Sequence, residues 1–330
     1  AEHFPSSLTV YRYPVPGRPW SDSEAGRRMT KGTVLVAGAT GRLGIEVVQE
    51  LKARGERVRA LGRSPRRLEA LRGLADELCV ADALNGGALG PAFMDVDRVF
   101  SCLGASVIPM PRYGRETFTQ VDTPANRNLV DWAVRSGVRK FVYVSVFGAD
   151  RLPQSDFIRG HELVVEALRA SGLDYSVLRP TGFFSAMDEI LLVASRGLLP
   201  EFNGGTARTN PIHEADLAAR CVEAFDAPRG WEADVGGPDA LTRREIAAYA
   251  WQAIGREARA VRVPVSVLRT AGRLMLPLYP RVGHLMTFIA DILVDDFVAP
   301  AAGTRHIQDY FMQKAAELRG AESSLSSRSA

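Results

Sequence analysis

The sequence lacks the features that mark disulfide-rich, membrane-spanning and metal-binding proteins. Its three cysteines, Cys79, Cys102 and Cys221, lie far apart and lack CxxC spacing, which favours a reducing, cytoplasmic setting. No apolar run approaches the ~18 residues that a membrane-spanning helix needs, and residues 1–28 lack the layout of a signal peptide. No group of His, Cys or carboxylate residues has the spacing of a metal site. We therefore expect a soluble protein without a bound metal.

An excess of charge of one sign is missing as well. The 41 basic and 38 acidic residues leave a net charge of +3, so the composition indicates no general affinity for polyanions. Basic residues do cluster between Lys52 and Arg72, but no aromatic residues that could stack on bases are interleaved with them. We expect the partner to be a small molecule and not a nucleic acid.

Short apolar runs alternate with amphipathic stretches along the first half of the chain. These segments are Val34 to Ala37, Leu43 to Arg54, Val58 to Leu61, Pro65 to Arg72, and Val99 to Cys102. Two further helices are predicted to end at Ser136-Gly137 and Ser171-Gly172, where glycine suits the left-handed residue that closes a helix. Because parallel strands need crossover helices, this order predicts an α/β fold with a doubly wound parallel sheet of the Rossmann type.

A glycine-rich phrase stands directly between the first apolar run and the following helix. The first glycine permits a tight turn, the second admits a pyrophosphate, and the third lets the helix pack on the strand. The free amides at the start of the helix suit an anionic group. The context predicts a dinucleotide site; the alternative is a tight turn without a ligand. The residues concerned are Gly38, Thr40, Gly41, Arg42, Leu43 and Gly44.

The end of the second strand distinguishes the two nicotinamide cofactors. An NAD site usually has an acidic residue there, whereas this sequence has Arg63 after Leu61-Gly62. Guanidinium groups suit a 2′-phosphate, so Arg63, joined by Arg42, favours NADP(H) as the cofactor. The alternative is a solvated basic face. Its members would be Lys52, Arg54, Arg57, Arg59, Arg66, Arg67 and Arg72.

Several phrases together resemble one protein family. They are Gly38 to Gly44, Ala81 to Ala83, Phe100 to Gly104, Phe141 to Ser145, Ser171 to Tyr175, Leu178 to Phe183, Asn210 to His213 and Gly236 to Pro238. The chain, over roughly residues 33–312, resembles the atypical short-chain dehydrogenases/reductases of the NmrA-like, NAD(P)-binding group, which includes isoflavone-reductase-like proteins. The resemblance is specific for the superfamily and not for a substrate.

The resemblance implies where further residues lie around the cofactor. It places Asp82 and Ala83 beside the adenine. It also places Cys102, Leu103 and Gly104, and the strand end at Val144, along the cofactor. A later segment, Pro180, Thr181, Gly182 and Phe183, is expected to border the nicotinamide. For each segment the alternative is a structural loop.

The catalytic residues of the wider superfamily are only partly matched. The family's Tyr-x-x-x-Lys is replaced by a phrase that begins with Phe157 and ends with His161, and Phe157 cannot transfer a proton. His161 is expected to transfer a proton or to hydrogen-bond the ribose; the alternative is a capping or surface histidine near Glu162. Ser145 matches the family's serine and is expected to orient a carbonyl oxygen. For His213, packing and capping of a helix are favoured over a place in the cleft.

Four segments are predicted along the chain. Residues 1–28, with four prolines and no periodicity, form a flexible arm, and the Ser-rich residues 320–330 form a disordered tail. Residues 29–180 form the NADP-binding core, and residues 181–319 form a mainly helical substrate region interleaved with the last strands of the sheet.

Within the substrate region, a capping box from Thr242 to Glu245 predicts a helix that reaches about Ile254. The apolar residues 263–298 are expected to close over a hydrophobic ligand, pair with another subunit, touch a membrane surface or form an ordinary core layer. The oligomeric state stays open.

The leading hypothesis is an NADPH-dependent reductase that acts on a carbonyl or an activated carbon-carbon double bond in a fairly apolar substrate. Its pocket is expected to include Phe183, Phe184 and Met187. One alternative is a non-catalytic NADP(H)-binding protein that serves as a redox sensor or assembly partner. Another is an epimerase or dehydratase with a retained nicotinamide.

Overall fold

A computed structural model describes residues 10–12, 32–104, 116–257 and 259–326. The strands are β1 (Val10–Arg12), β2 (Thr33–Ala37), β3 (Val58–Gly62), β4 (Glu77–Val80), β5 (Val96–Ser101), β6 (Lys140–Val144), β7 (Tyr175–Pro180), β8 (Leu199–Phe202), β9 (Arg208–Thr209), β10 (Trp231–Val235), β11 (Leu241–Thr242) and β12 (Ala260–Val263). The α-helices are α1 (Arg42–Ala53), α2 (Pro65–Glu69), α3 (Phe118–Arg135), α4 (Asp156–Ala170), α5 (Asp188–Ser195), α6 (Glu214–Glu223), α7 (Arg243–Ile254), α8 (Val265–Met275), α9 (Pro280–Ile292) and α10 (Ile307–Ser326).

The main sheet has eight strands in the order β1-β4-β3-β2-β5-β6-β7-β10. All neighbours pair in parallel except β1, which runs antiparallel to β4. The chain order reverses at β2, whose two neighbours are β3 and β5, and loops on either side of such a switch point leave a crevice for a ligand. The predicted doubly wound Rossmann-type fold is confirmed.

A separate hydrophobic core covers each face of this sheet. One core joins the strands to α1 and α6, and the other joins them to α3 and α4. All five residues of β2, from Thr33 to Ala37, are buried. Because helices cover both faces, the strands consist of continuous apolar runs without alternation.

The local signals at helix ends are confirmed. Gly137 and Gly172 have φ angles of 66° and 75°, the left-handed conformation that stops a helix. Thr242 and Glu245 form the predicted capping box, and α7 ends at Ile254 as expected.

Two predicted segments at the ends of the chain need correction. The arm of residues 1–28 was expected to lack regular structure, yet Val10–Arg12 pairs with Glu77–Cys79 of β4, which otherwise has unpaired backbone groups at the edge of the sheet. The tail was expected to begin at residue 320, yet α10 continues to Ser326, because extending an existing helix costs little once it is nucleated. The other residues of both segments lie outside the described ranges.

The C-terminal region is mainly helical. Helices α5, α7 and α10 share a core that includes Phe184, Trp251 and Phe311. Helices α8 and α9 form a hairpin, and α9 packs on α4 through Phe288 and Phe157, whose ring centroids are 5.0 Å apart. Strand β10 and helix α6 return to the main sheet, so this region interleaves with it. None of the helices in the described ranges is long and apolar enough to cross a membrane.

Candidate cofactor and active site

The crevice at the switch point is bounded by the glycine-rich turn after β2 and by the loop after β5. Gly38 has a φ of 82°, and a Cβ atom there would lie 3.0 Å from the carbonyl oxygen of Cys102. The amide of Cys102 donates to the carbonyl oxygen of Ala37 at 3.2 Å. Gly38 is therefore required for both the turn and the close approach of the two loops.

The turn leaves the start of α1 open to an anion. A Cβ atom at Gly44 would overlap with the carbonyl oxygen of Gly38 and lie 2.8 Å from Cα of Ala39, so the third glycine brings the helix onto the strand. The N-cap Gly41 makes no side-chain capping bond, whereas α3 and α7 both begin with capping boxes. Leu43 is buried in the core beneath the turn. The uncapped amides, the absence of acid in the first turn of α1 and the small Gly41 fit a dinucleotide pyrophosphate.

The end of β3 carries an exposed cation. Arg63 is exposed and makes no ion pair with any described residue. Arg67, in the first turn of α2, donates to the carbonyl oxygen of Thr40 at 3.1 Å and so crosses the glycine-rich turn. Arg42 is arranged differently, because its guanidinium lies 3.0 Å from the carboxylate of Asp188 at the start of α5. The sequence analysis placed Arg67 in the alternative basic face and not at the cofactor, although the Ser64-Pro65 helix start was a signal for its position.

Most of the expected basic face is neutralised by ion pairs. Arg59, a member of that alternative basic face, is 2% exposed, donates to Glu77 at 2.6 Å and also donates to the carbonyl oxygens of Ala92 and Met94. The sequence pattern misplaced Arg59 because its partners are 18 or more residues away. The remaining pairs are Lys52 with Asp76, Arg54 with Glu50, Arg57 with Glu77 and Arg72 with Glu69.

Asp82 and Ala83 follow β4 at the same edge of the sheet. The Asp82 carboxylate accepts from the amide of Leu84 at 3.0 Å, and Asn128 of α3 donates to the carbonyl oxygen of Ala83 at 2.8 Å. This loop is therefore fixed at both ends beside the crevice.

A buried asparagine holds the loop of Cys102, Leu103 and Gly104. Asn126, fully buried on α3, donates to the carbonyl oxygen of Leu103 at 3.0 Å and accepts from the Ser101 hydroxyl at 2.6 Å. Burial raises the pKa of the Cys102 thiol to about 12, so this cysteine is an inert loop residue. The sequence analysis did not single out Asn126. Its signal in the sequence was an amide on the buried face of an amphipathic helix.

Ser145 follows Val144 at the end of β6, and its hydroxyl proton is already engaged. The hydroxyl donates to the carboxylate of Glu162 at 2.8 Å, and Arg179 pairs with the same carboxylate at 3.0 Å. An ionised carboxylate only accepts hydrogen bonds. In this arrangement Ser145 can accept a hydrogen bond but has no proton to donate to a carbonyl oxygen.

His161 lies on α4 in a buried position beside the loop after β5. Its Nδ1 atom is 2.8 Å from the hydroxyl of Tyr143, which is fully buried on β6. A Cβ atom at Gly104 would be 3.8 Å from Cε1 of His161, so one edge of the imidazole faces the cofactor side. Burial lowers the pKa of His161 to about 4. The imidazole is neutral near pH 7; if Nδ1 accepts the Tyr143 proton, Nε2 carries the hydrogen.

Phe157, at the place of the family's tyrosine, belongs to an aromatic cluster. Its ring centroid lies 4.9 Å from that of Phe118, 5.0 Å from Phe288 and 5.1 Å from His161. The phenyl ring therefore joins α3, α4 and α9 next to the candidate site.

Pro180 ends β7, and Thr181, Gly182 and Phe183 follow it at the carboxyl edge of the main sheet. The Thr181 hydroxyl donates to the carbonyl oxygen of Asn210, and the Asn210 side chain donates to Gly237 and Ala299. Phe183 is partly buried and bridges to Ile212. This network fixes the segment against the C-terminal region.

The three expected pocket residues point to different surroundings. Phe184 is 1% exposed and lies inside the core of α5, α7 and α10, and its amide donates to the carbonyl oxygen of Ile212 at 3.1 Å. Met187 is partly buried against the same core. Phe183 lies on the segment that follows β7 and packs against the core of α1 and α6. His213 caps α6 by accepting from the amide of Ala215 at 3.1 Å, the role that was favoured from its sequence position.

Comparisons with known proteins agree with this geometry. A family model described as NAD(P)H-binding matches residues 38–228, more than half of the chain. The chain is 30% identical over 252 residues to divinyl chlorophyllide a 8-vinyl-reductase of Zea mays, which covers 72% of this chain and 63% of that protein. It is 30% identical over 242 residues to (4-alkanoyl-5-oxo-2,5-dihydrofuran-3-yl)methyl phosphate reductase of Streptomyces griseus subsp. griseus, covering 72% and 79%.

A solved structure shows the same fold. The NADPH-dependent quinone oxidoreductase QOR2 of Escherichia coli, complexed with NADPH, superposes with a TM-score of 0.66 at 20% identity, covering 86% of this chain and 99% of that one. The chain spans less than two thirds of the length of several curated relatives that it matches, including the Zea mays reductase. With the glycine-rich turn and the match over residues 38–228, the chain belongs to the NAD(P)H-binding family, among the atypical, NmrA-like short-chain dehydrogenases/reductases.

Proposed function

We propose that this protein is an NADPH-dependent reductase that transfers a hydride to an activated carbon-carbon double bond or a carbonyl carbon of a fairly apolar small molecule. The observation that carries the cofactor preference is Arg63, an exposed cation at the end of β3 that pairs with none of the residues the structure describes, where an NAD site usually has an acid. Arg67, held across the glycine-rich turn, adds a second guanidinium beside it. Arg42 contributes less, because Asp188 already neutralises it.

The chain's own residues favour a substrate that needs little acid catalysis. When bound, reduced nicotinamide supplies the hydride. Carbonyl reduction leaves an alkoxide that needs a proton at once, whereas reduction of an activated double bond leaves a delocalised anion that water can protonate. Phe157 has no proton to give, and the Ser145 proton is held by Glu162. The named activity of the Zea mays relative, reduction of a vinyl group, supports a carbon-carbon acceptor.

His161 is proposed to hold the cofactor ribose and to steady the developing anion. Its neutral imidazole can offer an Nε2 hydrogen while Nδ1 accepts from Tyr143. A group with a pKa of about 4 is seldom protonated near pH 7, so His161 would act as a hydrogen-bond donor and not as an imidazolium acid. The proposed setting is cytoplasmic, which the free thiols of Cys79, Cys102 and Cys221 support.

A second candidate function is a non-catalytic NADP(H)-binding protein. It is favoured by one observation, that neither Ser145 nor His161 is arranged as a proton donor of suitable pKa. This candidate predicts cofactor binding without oxidation of NADPH by any enone, quinone or aldehyde in a broad panel. Turnover with one of these acceptors would exclude it.

Calorimetric titration with NADPH and NADH tests the cofactor preference. We expect NADPH to bind at least about tenfold more tightly, a difference of about 1.4 kcal/mol, and Arg63→Ala to remove this preference. Arg135→Ala is the matched control, because this exposed arginine lies in the last turn of α3, at the opposite edge of the sheet. Equal affinities in the unaltered protein would contradict the assignment of Arg63.

A further inference from the structure

Helix α8 has a wider apolar face than its partner helix covers. It packs closely on α9 at Gly272, where a Cβ atom would lie 3.0 Å from Cβ of Met286 and 3.1 Å from the carbonyl oxygen of Gly283. Gly272 is the one buried residue of α8. The helix therefore meets the protein along a narrow line, and much of its apolar surface stays outside the core.

Four exposed apolar side chains lie along α8 and the turn that follows it. Val267 and Leu274 are seven residues apart, so they lie on the same face of the helix, and they are 56% and 68% exposed. Leu278 and Tyr279, in the turn between α8 and α9, are 54% and 44% exposed. We call these four residues the α8 stripe. Contiguous exposed apolar surface of this kind marks an interaction site more often than single exposed residues do.

The chain segment that carries the α8 stripe has charge of one sign. Residues 258–290 contain five arginines and no lysine, aspartate or glutamate. Arg269 pairs with Asp291 at 2.8 Å, and Arg281 donates to the carbonyl oxygen of Glu116. Arg262, on β12 just before the stripe, has 88% of its side chain accessible, and its ion pair with Glu201 is a loose surface pair at 3.9 Å. Arg273 is exposed on α8 itself.

This charge pattern disfavours a second copy of the chain as the partner. A two-fold dimer would bring the same surface of both copies together, so arginines would face arginines around an apolar centre. An amphipathic segment that combines leucine and tyrosine with flanking arginines instead suits the boundary of a lipid bilayer with anionic headgroups. Tyrosine can bury its ring there and keep its hydroxyl in water.

We propose that the α8 stripe docks this protein on the surface of an anionic lipid membrane. The apolar side chains enter the boundary between headgroups and acyl chains, and Arg262 and Arg273 contact the headgroup anions. The attachment is peripheral, and it is independent of the proposed reductase activity.

Vesicle flotation of the full chain tests this proposal. The unaltered protein should float with vesicles of mixed phosphatidylcholine and phosphatidylserine, bind phosphatidylcholine vesicles weakly and dissociate as salt rises. The double variant Leu274→Ser, Leu278→Ser should bind the mixed vesicles at least about tenfold more weakly. The matched control is Met94→Ser, Val134→Ser, which alters two residues with 55% and 46% exposure outside the stripe.

Calorimetry with NADPH on each variant shows whether the cofactor site is intact, which separates loss of docking from loss of fold. Failure of the unaltered protein to float with mixed vesicles would overturn the proposal. Equal binding of the stripe variant and the control would overturn it as well. Light scattering that shows a dimer dissolved by the stripe substitutions, without vesicle binding, would assign the stripe to a second copy instead.

Discussion

The strands of the main sheet and helix α8 are both rich in apolar residues, yet they lie in opposite environments. All five residues of β2 are buried, whereas α8 buries only Gly272. The difference comes from the number of neighbouring layers, because helices cover both faces of the sheet, whereas among the described elements α9 is the main one that covers α8. Apolar character therefore predicts burial only where the fold supplies a second layer.

The same contrast separates the polar groups of the two regions. In the sheet region, buried polar side chains such as Asn126 and His161 each have a close partner. Around α8, Arg273 is exposed and Arg262 makes only a loose surface pair with Glu201 at 3.9 Å. These polar groups of the sheet region find their partners within the chain, whereas we propose that the hairpin makes its contact outside it.

The largest expected effect is at the most tightly packed point of the sheet region. Gly44→Ala adds a Cβ atom that overlaps with the carbonyl oxygen of Gly38, and backbone cannot move aside as a flexible side chain can. We expect a loss of about 3 kcal/mol of stability and of measurable NADPH binding, because α1 must shift away from the turn. Urea unfolding and calorimetry measure the two quantities.

Gly320→Ala is the matched control for this substitution. A Cβ atom at Gly320 meets nothing within 4 Å, and the residue is exposed on α10. The same chemical change should raise stability by up to about 1 kcal/mol there, since alanine favours helix. A tolerated alanine at Gly44 would show that the turn is less constrained than its geometry indicates.

Acid should have an intermediate effect on the stability of the fold, because it protonates His161. The pKa of a histidine in the unfolded chain is about 6.5, and burial lowers that of His161 to about 4. Between these values the unfolded chain binds a proton that the folded protein does not, so stability falls as pH falls. The loss attributable to His161 should be roughly 2 kcal/mol between pH 7 and about pH 5.

Urea unfolding of the unaltered protein and of His161→Gln over this pH range isolates the effect. As pH falls, the unaltered protein should lose more stability than His161→Gln does. His306 is the control, because its hydrogen bond to Asp239 raises its pKa, so its contribution is present at low pH and is lost as pH rises. A pH-independent difference for His161→Gln would contradict its burial as a neutral group.

Local sequence signals were sufficient for most of the fold. The glycine spacing from Gly38 to Gly44 predicted the turn, and Thr242 with Glu245 predicted the start of α7, because each signal and its structure lie within a few residues. The apolar runs Val34 to Ala37, Val58 to Leu61 and Val99 to Cys102 predicted β2, β3 and β5 for the same reason.

The parts that could not be predicted depend on contacts between distant residues. Val10–Arg12 joins the sheet by pairing with β4, which is the next strand in from that edge. Arg59 is buried together with its partner Glu77, and Phe184 lies in a core beside its backbone hydrogen bond to Ile212. The state of His161 depends on Tyr143, which is 18 residues earlier on a different element. Periodicity carries no information on such pairings.

The smallest expected effect is on the α8 stripe. The same change, Leu to Ala, made at one exposed and one buried position of the hairpin sharpens the comparison. Leu274 is 68% exposed, so Leu274→Ala removes few contacts and should change the free energy of unfolding by less than about 0.5 kcal/mol. Leu285, on α9, is 8% exposed in the cluster with Phe118 and Phe288, and Leu285→Ala should cost about 2–5 kcal/mol. Urea unfolding without lipid compares the two. A large loss at Leu274 would mean that the stripe stabilises the chain itself, and the contrast between the closed sheet and the open hairpin would then be wrong.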